Sequence, residues 1–341
     1  MKGKVRNNIL LMMTAFIWGS SFVAQSAGMD YIGPFTFNSV RCLMGAAVLL
    51  PVIKFLDRQK KTVGRIEKGK EIKENKKTRK KDRQSLLLGG CCCGVILGVA
   101  SSLQQVGILY TGAGKAGFIT ALYILIVPVI RIFLGKKAGF KIWAGVALAV
   151  VGMYFLCITK GFAIGKGDLL VCICSVVFSL HILVIDYFSP RTDSVKLSCV
   201  QFLISGVMCA VPMLIIEKPS LEEIFAVWLP LIYAGVLSCG VAYTLQIIAQ
   251  KDTDPAVASL LLSLESVFAA LTGWAILGER LSAREMSGCV LVFAAIILAQ
   301  LPEGKTDKIP VISCHTAFCI RCVWRYSRIA NPIFPMKSPI C

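Results

Sequence analysis

Charge is what this sequence has least of. Only 16% of its 341 residues are Asp, Glu, Lys or Arg, and histidine occurs twice. A soluble domain carries about 25% charged residues, so an ordinary water-facing surface cannot be built over this length. Catalytic patterns are missing as well. The chain contains no HExxH, no GxSxG and no paired aspartates within its apolar runs, which leaves a membrane-embedded enzyme without a constellation to work with. No P-loop occurs, so ATP does not drive this chain directly unless a partner supplies it. The longest soluble stretch, 57–85, is charged and poor in apolar residues, so it cannot bury a core. That argues against the main alternative, a non-transporting membrane scaffold or sensor built on a folded soluble domain. No cleavable leader stands out, because the apolar run behind the basic residues 1–8 has no small-x-small cleavage pattern.

What is present is apolar. Hydrophobic residues make up 56% of the chain, and the mean hydropathy is +0.73. The excess comes in runs of about 20, the length that crosses a bilayer as a helix. Ten spans can be drawn, at 9–28, 34–56, 86–110, 116–134, 138–159, 167–188, 195–216, 227–249, 256–277 and 283–301. The expected fold is an all-α membrane protein. Short connections hold Gly, Pro or Asp, which break helices and form turns.

The formal net charge of +18 invites a nucleic-acid reading, but its distribution opposes one. Most of the excess lies between Lys54 and Arg83, and the remaining Lys and Arg flank spans, as retention of loops on the cytoplasmic side requires. Placing the N-terminus inside puts Lys2, Lys4, Arg6, the 54–83 run, Lys136, Lys137, Lys141, Arg191, Lys196 and Lys251 on one side. Both termini are therefore expected in the cytoplasm and the protein in the cell membrane. The partners expected are the lipid bilayer, a small-molecule substrate and protons as a coupling ion, with no nucleic acid. Most of the 15 cysteines fall inside apolar runs, where they act as small hydrophobes; disulfides are not implied.

The two halves of the chain repeat. Trp18 falls on Phe178 and Arg41 on Gln201 at an offset of 160, and Gly135 falls on Gly278 and Gly145 on Gly288 at 143. The offset shrinks because the basic connector is longer than its counterpart. Each repeat, 9–159 and 167–301, holds five spans, an odd number, so the second copy is inverted in the membrane. Two inverted five-helix repeats are a recurring architecture of secondary transporters, with the substrate site near the midplane where the halves meet.

These residues resemble the EamA-type permeases of the drug/metabolite transporter superfamily. The resemblance runs from Asn7 to Gln300. It rests on Phe16-Ile17-Trp18-Gly19-Ser20-Ser21-Phe22, Arg41, the run Gly240–Leu245, Glu265-Ser266-Val267-Phe268-Ala269-Ala270, Leu277-Gly278-Glu279-Arg280-Leu281 and Gly288. It implies ten helices around a central cavity, alternating access, and a small polar metabolite such as an amino acid or amine. Where the family often has a Gly-Glu pair after the fourth span, this chain has Gly135-Lys136-Lys137.

Seven residues are candidates for a substrate or translocation site. Glu265 is an acid at membrane depth, either a cavity group for an amine or a proton or a structural acid bonded to backbone or to Ser263. Gln104 and Gln246 occupy equivalent third and eighth spans, where two amides could face each other across a cavity; Gln105 and Tyr243 join that group. Trp18 lies midway along the first span, deeper than the interfacial belt, where it walls a cavity or packs beside Gly19. Arg41 pairs with an acid, attracts a carboxylate, or snorkels; Arg131 is expected to snorkel. His181 is expected to be a hydrogen-bonded structural histidine. Gly278-Glu279-Arg280 reads as a helix cap. No cofactor and no metal is expected. Cys314, His315, Cys319 and Cys322 in the Cys-rich tail 302–341 match no common zinc spacing, and the tail reads as a disordered extension.

Overall fold

A computed structural model describes residues 2–66, 76–111, 113–135, 139–157, 165–277 and 282–300. All regular structure among them is helical. The first half consists of α1 (Lys2–Gly28), α2 (Pro34–Ile66), α3 (Lys76–Ile108), α4 (Ala113–Thr120), α5 (Tyr123–Phe133) and α6 (Phe140–Cys157). The second half begins with α7 (Lys166–Phe188) and α8 (Ser194–Pro212), which ends in a π turn at Met213–Glu217. Then come α9 (Leu221–Ala226), α10 (Trp228–Ile232), a π-helical stretch (Tyr233–Ala242) and α11 (Tyr243–Gln250). α12 (Pro255–Leu262), α13 (Leu264–Leu277) and α14 (Ala283–Gln300) complete the bundle.

Eight of the ten expected spans are long and apolar enough to cross a membrane among the described residues; the fifth and tenth supply shorter apolar helices, Phe140–Gly152 and Met286–Ala295. The protein is therefore a multi-pass membrane protein. Its polarity is that of a lipid-solvated bundle. On α8, Gln201, Ser205 and Ser198 are fully buried, while Leu203, Val207 and Val211 are about half exposed on the opposite face. Water would reverse that preference; hydrocarbon does not. The basic connector is helical at both ends, since α2 and α3 run through 57–66 and 76–85. Residues 67–75, Lys136, Lys137, Gly278-Glu279-Arg280 and the Cys-rich tail lie outside the described residues.

Two spans drawn as continuous are broken near their middles. The fourth splits into α4 and α5, because Leu122 N–H bonds Ile119 O and Leu125 N–H bonds Leu122 O in tight i→i+3 turns. Pro128, inside α5, has no N–H to return to the carbonyl of Ile124. The ninth splits at Ser263. There Ser259, Ser263 and Ser266 donate their hydroxyls to Ala256 O, Leu260 O and Ser263 O, which competes with the helical ladder and bends it. The breaks sit 142 residues apart, at Ala121 and Ser263.

Packing relates the halves pairwise. α1 packs on α13 and α7 on α4 and α5; α3 packs on α7, as α1 does on Tyr233–Ala242 and α11; α2 packs on α8, and α6 on α14. Backbones meet without a side chain between them where glycine allows it. A Cβ on Gly19 would stand 2.5 Å from the carbonyl oxygen of Glu265, and one on Gly45 would stand 2.6 Å from the Cβ of Cys239. The α2–α8 seam is clamped at both ends. At one, the carboxylate of Glu217 accepts from Phe35 N–H (2.9 Å), Thr36 N–H (2.6 Å) and Thr36 Oγ1 (2.6 Å), satisfying the orphan donors of the α2 N-terminus. At the other, Asp57 pairs with Lys196 Nζ at 2.8 Å. Asp57 and Glu217 are 160 apart, and so are Thr36 and Lys196.

Candidate functional site

The two broken spans face each other at a small cavity of about 30 Å³, room for a water or two rather than for a solute in this conformation. The cavity lies toward the end of the bundle where α1 joins α2, since its walls include Phe22 and Gln25 of late α1 and Arg41 of early α2. Each break presents one polar group there. Tyr123 opens α5 and Glu265 lies in the first turn of α13, and the Tyr123 hydroxyl donates to Glu265 Oε1 at 2.9 Å. Glu265 is 3% exposed. Its place in the first turn sets it at the positive end of the α13 dipole. Ser263, one candidate partner for it, instead donates to Leu260 O.

Arg41 supplies the opposite sign. It is 5% exposed, its Nε finds no hydrogen-bond partner, and its Cζ stands 5.8 Å from the Phe37 ring centroid. A buried guanidinium of this kind does not snorkel. Gln104, from α3, donates its Nε2 to Thr120 Oγ1 at 3.1 Å, at the last residue of α4. Trp18 and Tyr243 form an aromatic wall with centroids 4.5 Å apart, and Trp18 Nε1 is buried without a partner. Phe178 and Ser238 complete the lining; Ser238 reaches it from the π-helical stretch, whose wider turn re-aims side chains relative to an α-helix.

Five of the seven residues singled out in the sequence therefore meet at one cavity: Trp18, Arg41, Gln104, Tyr243 and Glu265. Gln105 and Gln246 do not line it. Gln105 is fully buried and donates Nε2 to Gln25 O at 3.5 Å. Gln246 is 1% exposed, with an unpartnered Oε1. Gln104 and Gln246 thus do not face each other across the cavity. Arg131 is likewise not a snorkelling residue: it is 8% exposed and forms an ion pair with Asp254, the N-cap of α12. Among the described residues, no three His, Cys, Asp or Glu side chains converge as a metal site.

Sequence reasoning missed Tyr123, Thr120, Gln25, Phe22, Phe178 and Ser238. A signal for Tyr123 existed, since it stands 142 residues before Glu265, the same offset as Gln104 to Gln246. Phe178 likewise stands 160 residues after Trp18, which also lines the cavity. Nothing local distinguishes Ser238, whose orientation depends on the π winding.

The comparisons with known proteins agree with this architecture. The chain is 31% identical to an uncharacterized transporter of Archaeoglobus fulgidus over 296 residues, covering 85% of this chain and 84% of that protein. It is 25% identical to the uncharacterized transporter YoaV of Bacillus subtilis, covering 84% and 94% respectively. A protein of known crystal structure shares the fold, with a TM-score of 0.66 at 18% identity, over 86% of this chain and 96% of that one. The pattern of the EamA-like transporter family matches residues 6–158 and again 165–301. The chain belongs to the EamA-like transporter family, and is a membrane transporter.

Proposed function

We propose that the protein is a secondary transporter that carries a small polar metabolite, an amino acid, an amine or a similar solute, across the cytoplasmic membrane by alternating access. The observation that carries this reading is the meeting of a basic and an acidic side chain on one buried cavity, Arg41 at 5% and Glu265 at 3% exposure. Ionisable groups inside a membrane bundle are expensive and mark substrate or ion paths. An acid and a guanidinium on two walls match the amine and carboxylate of a zwitterion, and Trp18 and Tyr243 offer ring faces to a cation. Glu265 is also the group that would exchange a proton with a coupling gradient.

Ten spans in two inverted repeats are part of the proposal. The paired clamps at Thr36–Glu217 and Asp57–Lys196 support it, as do the matched helix breaks and the pairwise packing. The Lys and Arg distribution supports an orientation with both termini in the cytoplasm.

The test is transport by the purified protein in proteoliposomes, given a defined mixture of amino acids and amines, with and without a pH gradient. Uptake or release of one class, lost in Glu265→Gln at unchanged reconstitution, is the expected result. Unchanged transport kinetics in Glu265→Gln would remove the acid from the path. No movement of any of these solutes in the wild-type protein would remove the substrate class.

A further inference from the structure

The cavity uses one repeat more than the other. Its polar lining comes chiefly from the first half: Gln25 and Arg41, then Gln104, Thr120 and Tyr123. At the same offsets, the second half carries its own set. Arg41 corresponds to Gln201, Ser21 to His181, Gln104 to Gln246 and Tyr123 to Glu265. Apart from Glu265, this second set does not line the cavity. Gln201 is fully buried, and His181 and Gln246 are 1% exposed. His181 Nε2 and Gln201 Oε1 are 3.2 Å apart, while Gln201 Nε2 and Gln246 Oε1 have no partner. Buried amide groups are almost always hydrogen-bonded, so these two orphans, like Arg41 Nε and Trp18 Nε1 at the cavity itself, call for a state in which they are solvated. His181, with Gln201 bonded to it, lies directly behind the cavity wall. The His181 ring stands edge-on to Tyr243 at 6.1 Å and to Phe178 at 6.4 Å, and both of those rings line the cavity.

We propose that His181, Gln201 and Gln246 form the closed counterpart of the cavity, and line it when the transporter opens to the opposite, cytoplasmic side. This rests on the transport reading above and assigns its second half-path. Inverted repeats make the two open states by exchanging conformations between the halves. The first half opens around Arg41 and Gln104; the second opens around Gln201 and Gln246, and Glu265 and Tyr123 serve both. The exchange is chemically unequal. A solute meets a fixed cation from one side and a histidine with two amides from the other.

Side-specific labelling tests this. Gln201→Cys and Gln246→Cys are treated in inside-out and right-side-out vesicles with a membrane-impermeant cationic methanethiosulfonate, and each modified peptide is followed by mass spectrometry, so native thiols do not interfere. Gln104→Cys reports the open cavity and Leu203→Cys, half exposed on the lipid face of α8, reports background. Both Gln201→Cys and Gln246→Cys should react from the cytoplasmic side at least about tenfold faster than from the other, with Gln104→Cys showing the reverse, because reactivity scales with the population open to that side. Two sites are used so that one misfolded variant, recognised by size exclusion, leaves the other to decide. If both stay at the Leu203→Cys background from either side while Gln104→Cys reacts, the buried amides are interhelical glue and the inference is overturned, the transport reading standing. If Gln104→Cys is also unreactive from both sides, the water-filled cavity itself is refuted and both readings fall.

Discussion

The fourth and ninth spans break at matching positions and put different chemistry at the break. One offers a phenol, Tyr123, and the other a carboxylate, Glu265, and the two bond at 2.9 Å. A symmetric frame has thus been given an asymmetric centre, a neutral donor on one side and an acceptor on the other. The same divergence recurs at Arg41 against Gln201. The two halves match where their helices pack, and their chemistry differs at the cavity. A strictly symmetric pair of acids at this distance would repel; a Tyr–Glu pair does not.

The comparison can be broken at several points. The largest effect is expected from Glu265→Gln, which removes the ionisable group from the asymmetric pair. Transport in proteoliposomes should fall by about 100-fold or more, the scale of losing a charged partner in a desolvated site. Arg41→Gln makes the first half resemble the second. Apparent substrate affinity should weaken about 10- to 100-fold, with partial recovery in Arg41→Lys; a concentration series of initial rates decides it, and an unchanged half-saturation would show that Arg41 does not meet the solute. Tyr123→Phe keeps the ring and removes one donor to Glu265. A loss of about tenfold in transport rate is expected, near the worth of a hydrogen bond to a charged group, and rates equal to wild type would make the contact incidental. The smallest effects belong to the paired clamps. Glu217→Gln, which disturbs three acceptor contacts on the α2 N-terminus, should lower thermal stability by about 1–3 kcal/mol. Asp57→Asn, whose pair with Lys196 is 40% and 34% exposed, should cost under about 1 kcal/mol. Equal shifts in detergent melting would show that the two clamps carry similar weight.

Much of the frame could be read from the chain, because lipid forces every backbone group into a helix and helix length then follows from apolar run length. The broken spans were less legible. Pro128 and the serines at 259, 263 and 266 are each common inside membrane helices, and only the opposed geometry gives them meaning. Glu265 and Arg41 stood out because charge at depth is rare. Tyr123 did not, since a tyrosine in an apolar run has no such contrast. Arg131 misled for a specific reason: a basic residue near a span end snorkels unless an acid is within reach, and Asp254 comes from a segment more than 120 residues away. Gln246 stands at the offset that pairs it with Gln104, but only Gln104 lines the cavity, because a shared offset does not fix which way a side chain faces.

Gly19 has a mechanical consequence. With no side chain between α1 and the backbone at Glu265, there is no soft layer to absorb displacement, and packed protein interiors compress little. A tilt of α13 would press directly on α1 beside Trp18, so the acid and the indole are expected to shift together rather than independently.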